Sequence, residues 1–188
     1  GCVVLARSRE AASRLKQAFA NKRVQKTYLA LVHGHPPWPG EHTLDVPLAL
    51  AGRDSKHVPI RMLAAPGRAD ALACLTKVRV VRAYTLLRGA FALVECQPVT
   101  GRQHQIRAHL CAAGFPIVGD KLYTQGDDAF KRFYEREIEG VPRADILAEF
   151  GMARHALHAA RVCFPHPETG ARVTVESPLP QDFAEFLA

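Results

Sequence analysis

Residues 100–120 read TGRQHQIRAHLCAAGFPIVGD. Within six positions Arg102, Gln103, His104, Gln105 and Arg107 offer two guanidinium groups, an imidazole and two amides. An arginine held on a rigid element can grip a carboxylate or a phosphate through two parallel N–H···O bonds. Thr100 and Gln103 match the T-x-x-Q pattern of a capping box, so a helix is predicted from about residue 101, ended by Gly114 and Pro116. Arg102 then falls in a first turn whose free backbone N–H groups and dipole favour an anion, with Arg107 about a turn deeper. Ile106, Leu110 and Ala113 share one helical face, suited to packing on a sheet; His104, Arg107 and Cys111 lie on the adjacent face. On physical grounds this is a site for an anion or a polar ring. The alternative is a helix N-terminus that hydrogen-bonds a neighbouring loop.

Several elements are needed to position that stretch. Residues 2–6, CVVLA, read as a short buried strand. Ser8 is placed to cap a helix with Glu10 in its first turn, Ala11, Leu15, Ala18 and Phe19 on one face, and Asn21 as its stop. VQKTYLALVHG alternates, with Lys26, Tyr28, Ala30 and Val32 on one side and Thr27, Leu29 and Leu31 on the other. HPPWPG is a loop, and short strands are predicted around 44–48 and 56–62 with GRDSK as the turn between them. Residues 71–99 are β-rich, with Val78, Val80 and Val81 in a first arm and FALVEC in a second that feeds the 100–120 stretch. Residues 127–150 read as one or two surface helices inserted in the domain. RVCF, the turn HPETG and ARVTVE form a hairpin, and QDFAEFLA a closing helix. The order of elements is that of an α+β domain.

The bulk numbers fit a single domain. The chain has 188 residues, 48% of them hydrophobic and 23% charged. No apolar run reaches the length of a membrane span, and GCVVLARS lacks the charged start of a signal peptide, resembling instead a chain that begins in mid-strand. A net charge of +7 favours polyanionic partners such as nucleic acid, although a basic solvated surface gives the same number. Five scattered cysteines without a C-x-x-C pair read as buried thiols in a reducing compartment, the cytoplasm or an organelle matrix. Nine histidines invite a metal reading, yet none stands with partners at ligand spacing, so no metal site is predicted. No Walker-type glycine loop or nucleophile elbow supports a phosphate-binding hydrolase.

GRQHQIRAH followed by GFPIVGD resembles the third motif of the RluA-type pseudouridine synthases, G-R-x-H-Q-I/L-R-x-H then G-x-P-I-x-G-D. KTYLALV at 26–32 resembles the second motif, and RHALHA, FPHPETG and SPLPQDF resemble the segment closing the catalytic domain. The resemblance covers nearly the whole chain. It implies the pseudouridine synthase fold: a central mixed or antiparallel sheet flanked by helices, with an active-site cleft, in one domain over 1–188. It implies isomerisation of uridine to pseudouridine in structured RNA, ribosomal or transfer, without metal or cofactor; the chain is expected to be a monomer. The target nucleotide must leave its stack to be reached.

The same resemblance implies roles for residues. Tyr28 would stack on the uracil and assist proton movement at C5; the alternative is core packing. Arg107 would hold the catalytic carboxylate ionised and oriented. Ile106 would line the uracil pocket, or simply the core. Arg102 and His104 would contact phosphate or brace the loop that carries the carboxylate. Lys26, Arg154 and His158 are weaker RNA-contact candidates, each with a plain surface alternative.

One part of the family pattern has no counterpart. The first motif, R-L-D-x-x-T-S-G, supplies the catalytic Asp, and GCVVLA matches only its last glycine and the strand after it. The Asp would fall six residues before Gly1, which reads as truncation at the N-terminus. Asp120 does not stand at the nucleophile's place, and Asp45 and Asp54 have no supporting motif. Arg107 is then expected to lack its ion-pair partner and the chain to be inactive alone. The alternative is a non-catalytic RNA-binding or ribosome-assembly protein with the same fold.

Overall fold

The computed structural model describes residues 1–52, 58, 61–124, 128, 130, 131, 133–135, 140 and 143–188. Helix α1 (Arg9–Ala20) begins where the Ser8 hydroxyl accepts the Ala11 N–H at 3.1 Å and ends at Asn21, as the sequence predicts. Strand β1 (Gln25–His33) is followed by three short strands, β2 (His42–Leu44), β3 (Leu48–Leu50) and β4 (Met62–Ala64). The hairpin arms β5 (Thr76–Leu86) and β6 (Gly89–Pro98) lead into α2 (Gln105–Ala112). Helix α3 (Arg143–Phe150), the hairpin β7 (Leu157–Pro165) and β8 (Arg172–Glu176), and α4 (Gln181–Leu187) complete the described elements.

Six strands form one sheet in the order β2-β5-β6-β1-β7-β8, and every pairing is antiparallel. The architecture is α+β, and the sheet is antiparallel rather than mixed. β3 and β4 pair separately. Strand β1 lies at the centre, with Tyr28 opposite Cys96 on one side and Ala159 on the other. Alternation sends Ala30 and Val32 to the side of α2, and Leu31 to the other. Both sides are covered: Ile106 and Leu110 of α2 and Phe183 and Phe186 of α4 belong to one core with Ala30, Leu31, Val94 and Ile117. A second cluster joins the small sheet to α2 through Leu48, Met62, Cys74, Ala108 and Tyr123.

Three sequence expectations are corrected. Residues 2–6 form no ladder: one backbone bond, from Cys2 N–H to Ala159 O at 2.8 Å, ties them to β7. Val3 and Leu5 are exposed, and only Cys2 and Val4 turn toward Val162. The capping box does not form, because the Thr100 hydroxyl accepts the Leu75 N–H and donates to Gln105 Oε1. It is Gln105, two residues beyond the predicted partner, that reaches back to the Arg102 N–H, so α2 starts later and Arg102 precedes it. The strands near 44–48 are split, with Pro47 between β2 and β3; residues 53–57, 59 and 60, which hold the predicted GRDSK turn apart from Gly52 and much of the predicted 56–62 strand, lie outside the described residues. Of the predicted helical insertion at 127–150, α3 is described; 127, 129, 132, 136–139, 141 and 142 lie outside the described residues.

Candidate active-site cleft

The end of β6, the turn 99–104, the first turn of α2 and the start of β1 enclose a cleft of about 380 Å³. Lys26, Tyr28, Arg102, His104, Ile106 and Arg107 all line it. The six residues singled out in the sequence therefore meet at one place. Arg154 and His158 do not: Arg154 pairs with Asp182 at 2.8 Å, and buried His158 contacts the Ser177 carbonyl through Nε2 at 3.2 Å.

A polar chain beneath the cleft holds the 100–104 turn. Thr100 donates to Gln105 Oε1 at 2.7 Å, and Gln105 Nε2 donates to the Leu75 carbonyl and the Thr76 hydroxyl. Thr76 Oγ1 lies 2.9 Å from Nδ1 of fully buried His109, whose Nε2 faces the Val46 carbonyl at 3.0 Å. A carbonyl can only accept, so Nε2 carries the proton and Nδ1 accepts from Thr76. Burial lowers the His109 pKa, in keeping with this neutral tautomer. The chain makes α2 rigid where Arg107 leaves it.

Arg107 is paired, contrary to the sequence expectation. Its Nε and Nη2 each lie 2.7 Å from the two carboxylate oxygens of Asp120, whose side chain is wholly buried. Asp120 Oδ1 also accepts the N–H groups of Leu122 and Tyr123. Two charge-assisted bonds fix the guanidinium plane, and the Tyr123 ring lies 5.0 Å beneath it. Tyr123 in turn accepts the Met62 N–H, donates to the Met62 carbonyl, and meets His104 Nδ1 at 3.3 Å. Burial pushes its phenol up to about 12, so it is a neutral structural hydroxyl. One buried Asp–Tyr pair thus positions two cleft side chains.

His104 occupies the left-handed region, φ 51°, at the N-cap of α2. Such conformations are uncommon outside glycine and cluster at functional sites. Burial, then the charge of Arg107, lower its pKa, so it enters the cleft as a neutral hydrogen-bonding ring. Lys26 is half-buried, which lowers its pKa, and its Nζ reaches toward the Thr100 carbonyl at 3.5 Å. Burial raises the pKa of Tyr28, so at neutral pH its hydroxyl keeps its proton. Ile106 is both core and cleft wall, as is Tyr28. Arg102 is exposed at the mouth, with Nε 3.4 Å from the Ala73 carbonyl.

The sequence reading did not assign Phe19 or Asp120 to the site. Phe19 lines the cleft although it is 45% exposed, an apolar face left open where Leu15 and Ala18 of its stripe are buried. Its signal was its position at the edge of the helical stripe. Asp120 carried a signal as the last residue of GFPIVGD, but that pattern did not say which side chain it meets. Among the described residues no group of three or more His, Cys, Asp and Glu is placed to hold a metal ion.

The antiparallel sheet, the cleft at the start of α2 and the motif residues that converge there define a class. A family model described as RNA pseudouridylate synthase matches residues 1–112, and the chain belongs to that family. Among relatives, an RNA pseudouridine synthase 2 of the Arabidopsis thaliana chloroplast is 31% identical over 191 residues, covering 100% of this chain and 43% of the relative. A ribosomal large subunit pseudouridine synthase D of Zymomonas mobilis is 31% identical over 182 residues, covering 97% of this chain and 50% of its own. The chain thus spans about half the length of these relatives. Human RNA Pseudouridylate Synthase Domain Containing 1 superposes with a TM-score of 0.65 at 27% identity, over 92% of this chain and 62% of that one. Human RNA Pseudouridylate Synthase Domain Containing 4 gives a TM-score of 0.67 at 24% identity, over 96% and 67%, and shares the fold.

Proposed function

We propose that the cleft receives a uridine flipped out of a structured RNA and serves its isomerisation to pseudouridine. The observation that carries this reading is the convergence of Lys26, Tyr28, Arg102, His104, Ile106 and Arg107 on one cleft in a chain of the pseudouridylate synthase family. The reaction breaks the C1′–N1 bond and joins C1′ to C5 of the same base. It needs a platform for the uracil ring, a carboxylate, and a group that can move a proton at C5. Tyr28 offers an aromatic face and a protonated hydroxyl; Ile106 offers an apolar wall. Arg107, anchored to Asp120 through Nε and Nη2, keeps its Nη1 edge for an incoming carboxylate. Lys26 and Arg102 stand at the mouth where a phosphate would pass.

The carboxylate is not supplied by Asp120, which is wholly buried and accepts four hydrogen bonds from Arg107, Leu122 and Tyr123. No Arg-Leu-Asp sequence occurs within the 188 residues. Release of tritium from C5-tritiated uridine in bulk RNA tests the reading. The 188-residue chain is expected to release none. The same chain preceded by an R-L-D-containing segment is expected to release tritium, and Tyr28→Phe in that longer chain to abolish it. Release by the short chain would assign the carboxylate to one of its own Asp residues. Silence of the longer chain, with RNA still bound, would favour the second reading, a non-catalytic RNA binder, to which the engagement of Arg107 Nε and Nη2 by Asp120 lends support.

A further inference from the structure

A larger concavity, about 470 Å³, lies beside the cleft at the end of the sheet where β1, β5 and β8 begin and β6 and β7 finish. Lys22, Lys26, Lys77, Arg161 and Arg172 line it, and no carboxylate does. Thr27, Gln97 and Thr174 fill the spaces between the cations. Thr27 alternates with Tyr28 along β1, so its side chain faces the opposite side of the sheet from the cleft. Lys26 and Pro98 line both concavities and form the rim between them.

From this arrangement we infer that the groove is a phosphate-binding track for the RNA backbone flanking the nucleotide held in the cleft. The inference rests on the RNA reading proposed above and extends it to a surface on the far side of the rim. Its composition sets it apart from the cleft. The cleft has the aromatic rings of Tyr28 and Phe19, on which a base can stack; the groove has no aromatic residue. Cations separated by hydroxyls and amides fit phosphate and ribose, contacts that position a strand without reading its sequence. The groove crosses five adjacent strands, roughly 20 Å at about 4.8 Å per strand, enough for several consecutive phosphates.

The carboxylates that border the groove leave its cations available: Glu95 accepts from Gln97 Nε2 at 3.1 Å and pairs with Arg79, outside the groove. Lys77 pairs with Glu41 at 2.8 Å and Arg161 with Glu176 at 3.9 Å, with every partner substantially exposed. Exposed pairs of this kind contribute little and exchange readily for a polyanion. Arg172 is held differently, donating through Nε to Cys163 Sγ at 2.8 Å and through Nη2 to Gln25. That holds its guanidinium in place along the groove.

The test compares two RNA probes on the 188-residue chain by fluorescence anisotropy. One is a labelled stem-loop with uridines in its loop, the other a uridine trinucleotide that fills only the cleft. The variant Lys22→Asn/Lys77→Gln/Arg161→Gln removes three exposed cations and leaves every cleft residue in place. Between about 50 and 200 mM salt, its stem-loop affinity should fall with a log–log slope shallower than wild type by about two to three units. Its trinucleotide affinity should be unchanged. Thr174→Glu, which adds a carboxylate to the groove without removing a cation, should weaken stem-loop binding at low salt and spare the trinucleotide. Equal stem-loop affinities and slopes for wild type and both variants overturn the groove and leave the cleft reading standing. Equal loss of both probes also overturns it, since the groove would then be acting through the cleft. A wild-type chain that binds neither probe overturns the RNA reading and the groove together.

Discussion

At the scale of single residues, the cleft is held by buried polar groups that leave little slack. Asp120→Asn removes one charge of a buried pair and leaves Arg107 without its counterion. Breaking such a pair costs about 3 kcal/mol or more, to be read as a lower urea midpoint at unchanged slope. Tyr123→Phe strips the Met62 N–H and carbonyl of their partner; about 1–3 kcal/mol should be lost, with faster amide exchange at Met62. His33, His104, His109 and His155 all have pKa values lowered first by burial. The unfolded chain therefore takes up protons on these rings before the folded one does. Their contribution to stability is complete above the ordinary histidine value of 6.5 and is lost as pH falls through the lower folded values. A urea titration from neutral to mildly acidic pH should show the midpoint dropping below about pH 6.5, and His109→Gln should flatten part of that drop. Arg107 and Tyr28 were legible in the sequence because each sits in a long run of mixed chemistry. The Arg107–Asp120 pair was not, because it depends on how the 113–119 loop returns Asp120 beneath α2.

At the scale of elements, most of the pattern was legible where one period dominated. Alternation marked β1, the apolar stripe and Ser8 marked α1, and the HPETG turn marked the β7–β8 hairpin. The neighbouring valines of β5 broke alternation for a local reason: the register shifts between Val80 and Arg82, so Val81 is an extra residue opposite β6 and is exposed. The T-x-x-Q pattern of Thr100 and Gln103 misled because Thr100 is drawn instead to Leu75 and to Gln105, whose amide is held by Leu75 and Thr76. Gly119 carries a stronger constraint than its sequence context indicated. Its φ is +72°, and an added Cβ would lie 2.2 Å from the Arg154 carbonyl oxygen. Gly119→Ala should therefore displace the Asp120 loop, lowering stability by about 1–3 kcal/mol from the backbone conformation alone and further from the clash. Circular dichroism melting of that variant checks this, with Gly140→Ala, likewise at positive φ but with open space around its Cβ, separating the two contributions.

At the scale of the whole molecule, the sheet is a wall with different business on its two sides. The cleft faces α2, the basic groove faces away from it, and Lys26 stands on the rim between them. The net charge of +7 hinted at a polyanion, but only the folded sheet gathers Lys22, Lys77, Arg161 and Arg172 from four separate stretches of chain. No helix among the described residues is long and apolar enough to cross a membrane. The strand order has a consequence in time. The β5–β6 and β7–β8 hairpins are closed by short turns and can form as soon as their own residues are available. Strand β1 is made before either, yet its two neighbours are β6 and β7. Its β6 edge can pair once residue 98 has been made, but its β7 edge must wait until the chain has been synthesised past residue 165. Pulse-labelled hydrogen exchange during refolding should show β5 and β6 protected ahead of the β1–β7 amides. The strand bearing Tyr28 precedes both of its partners and gains the second of them late, so the cleft wall on the β7 side takes shape only after most of this sheet has been made.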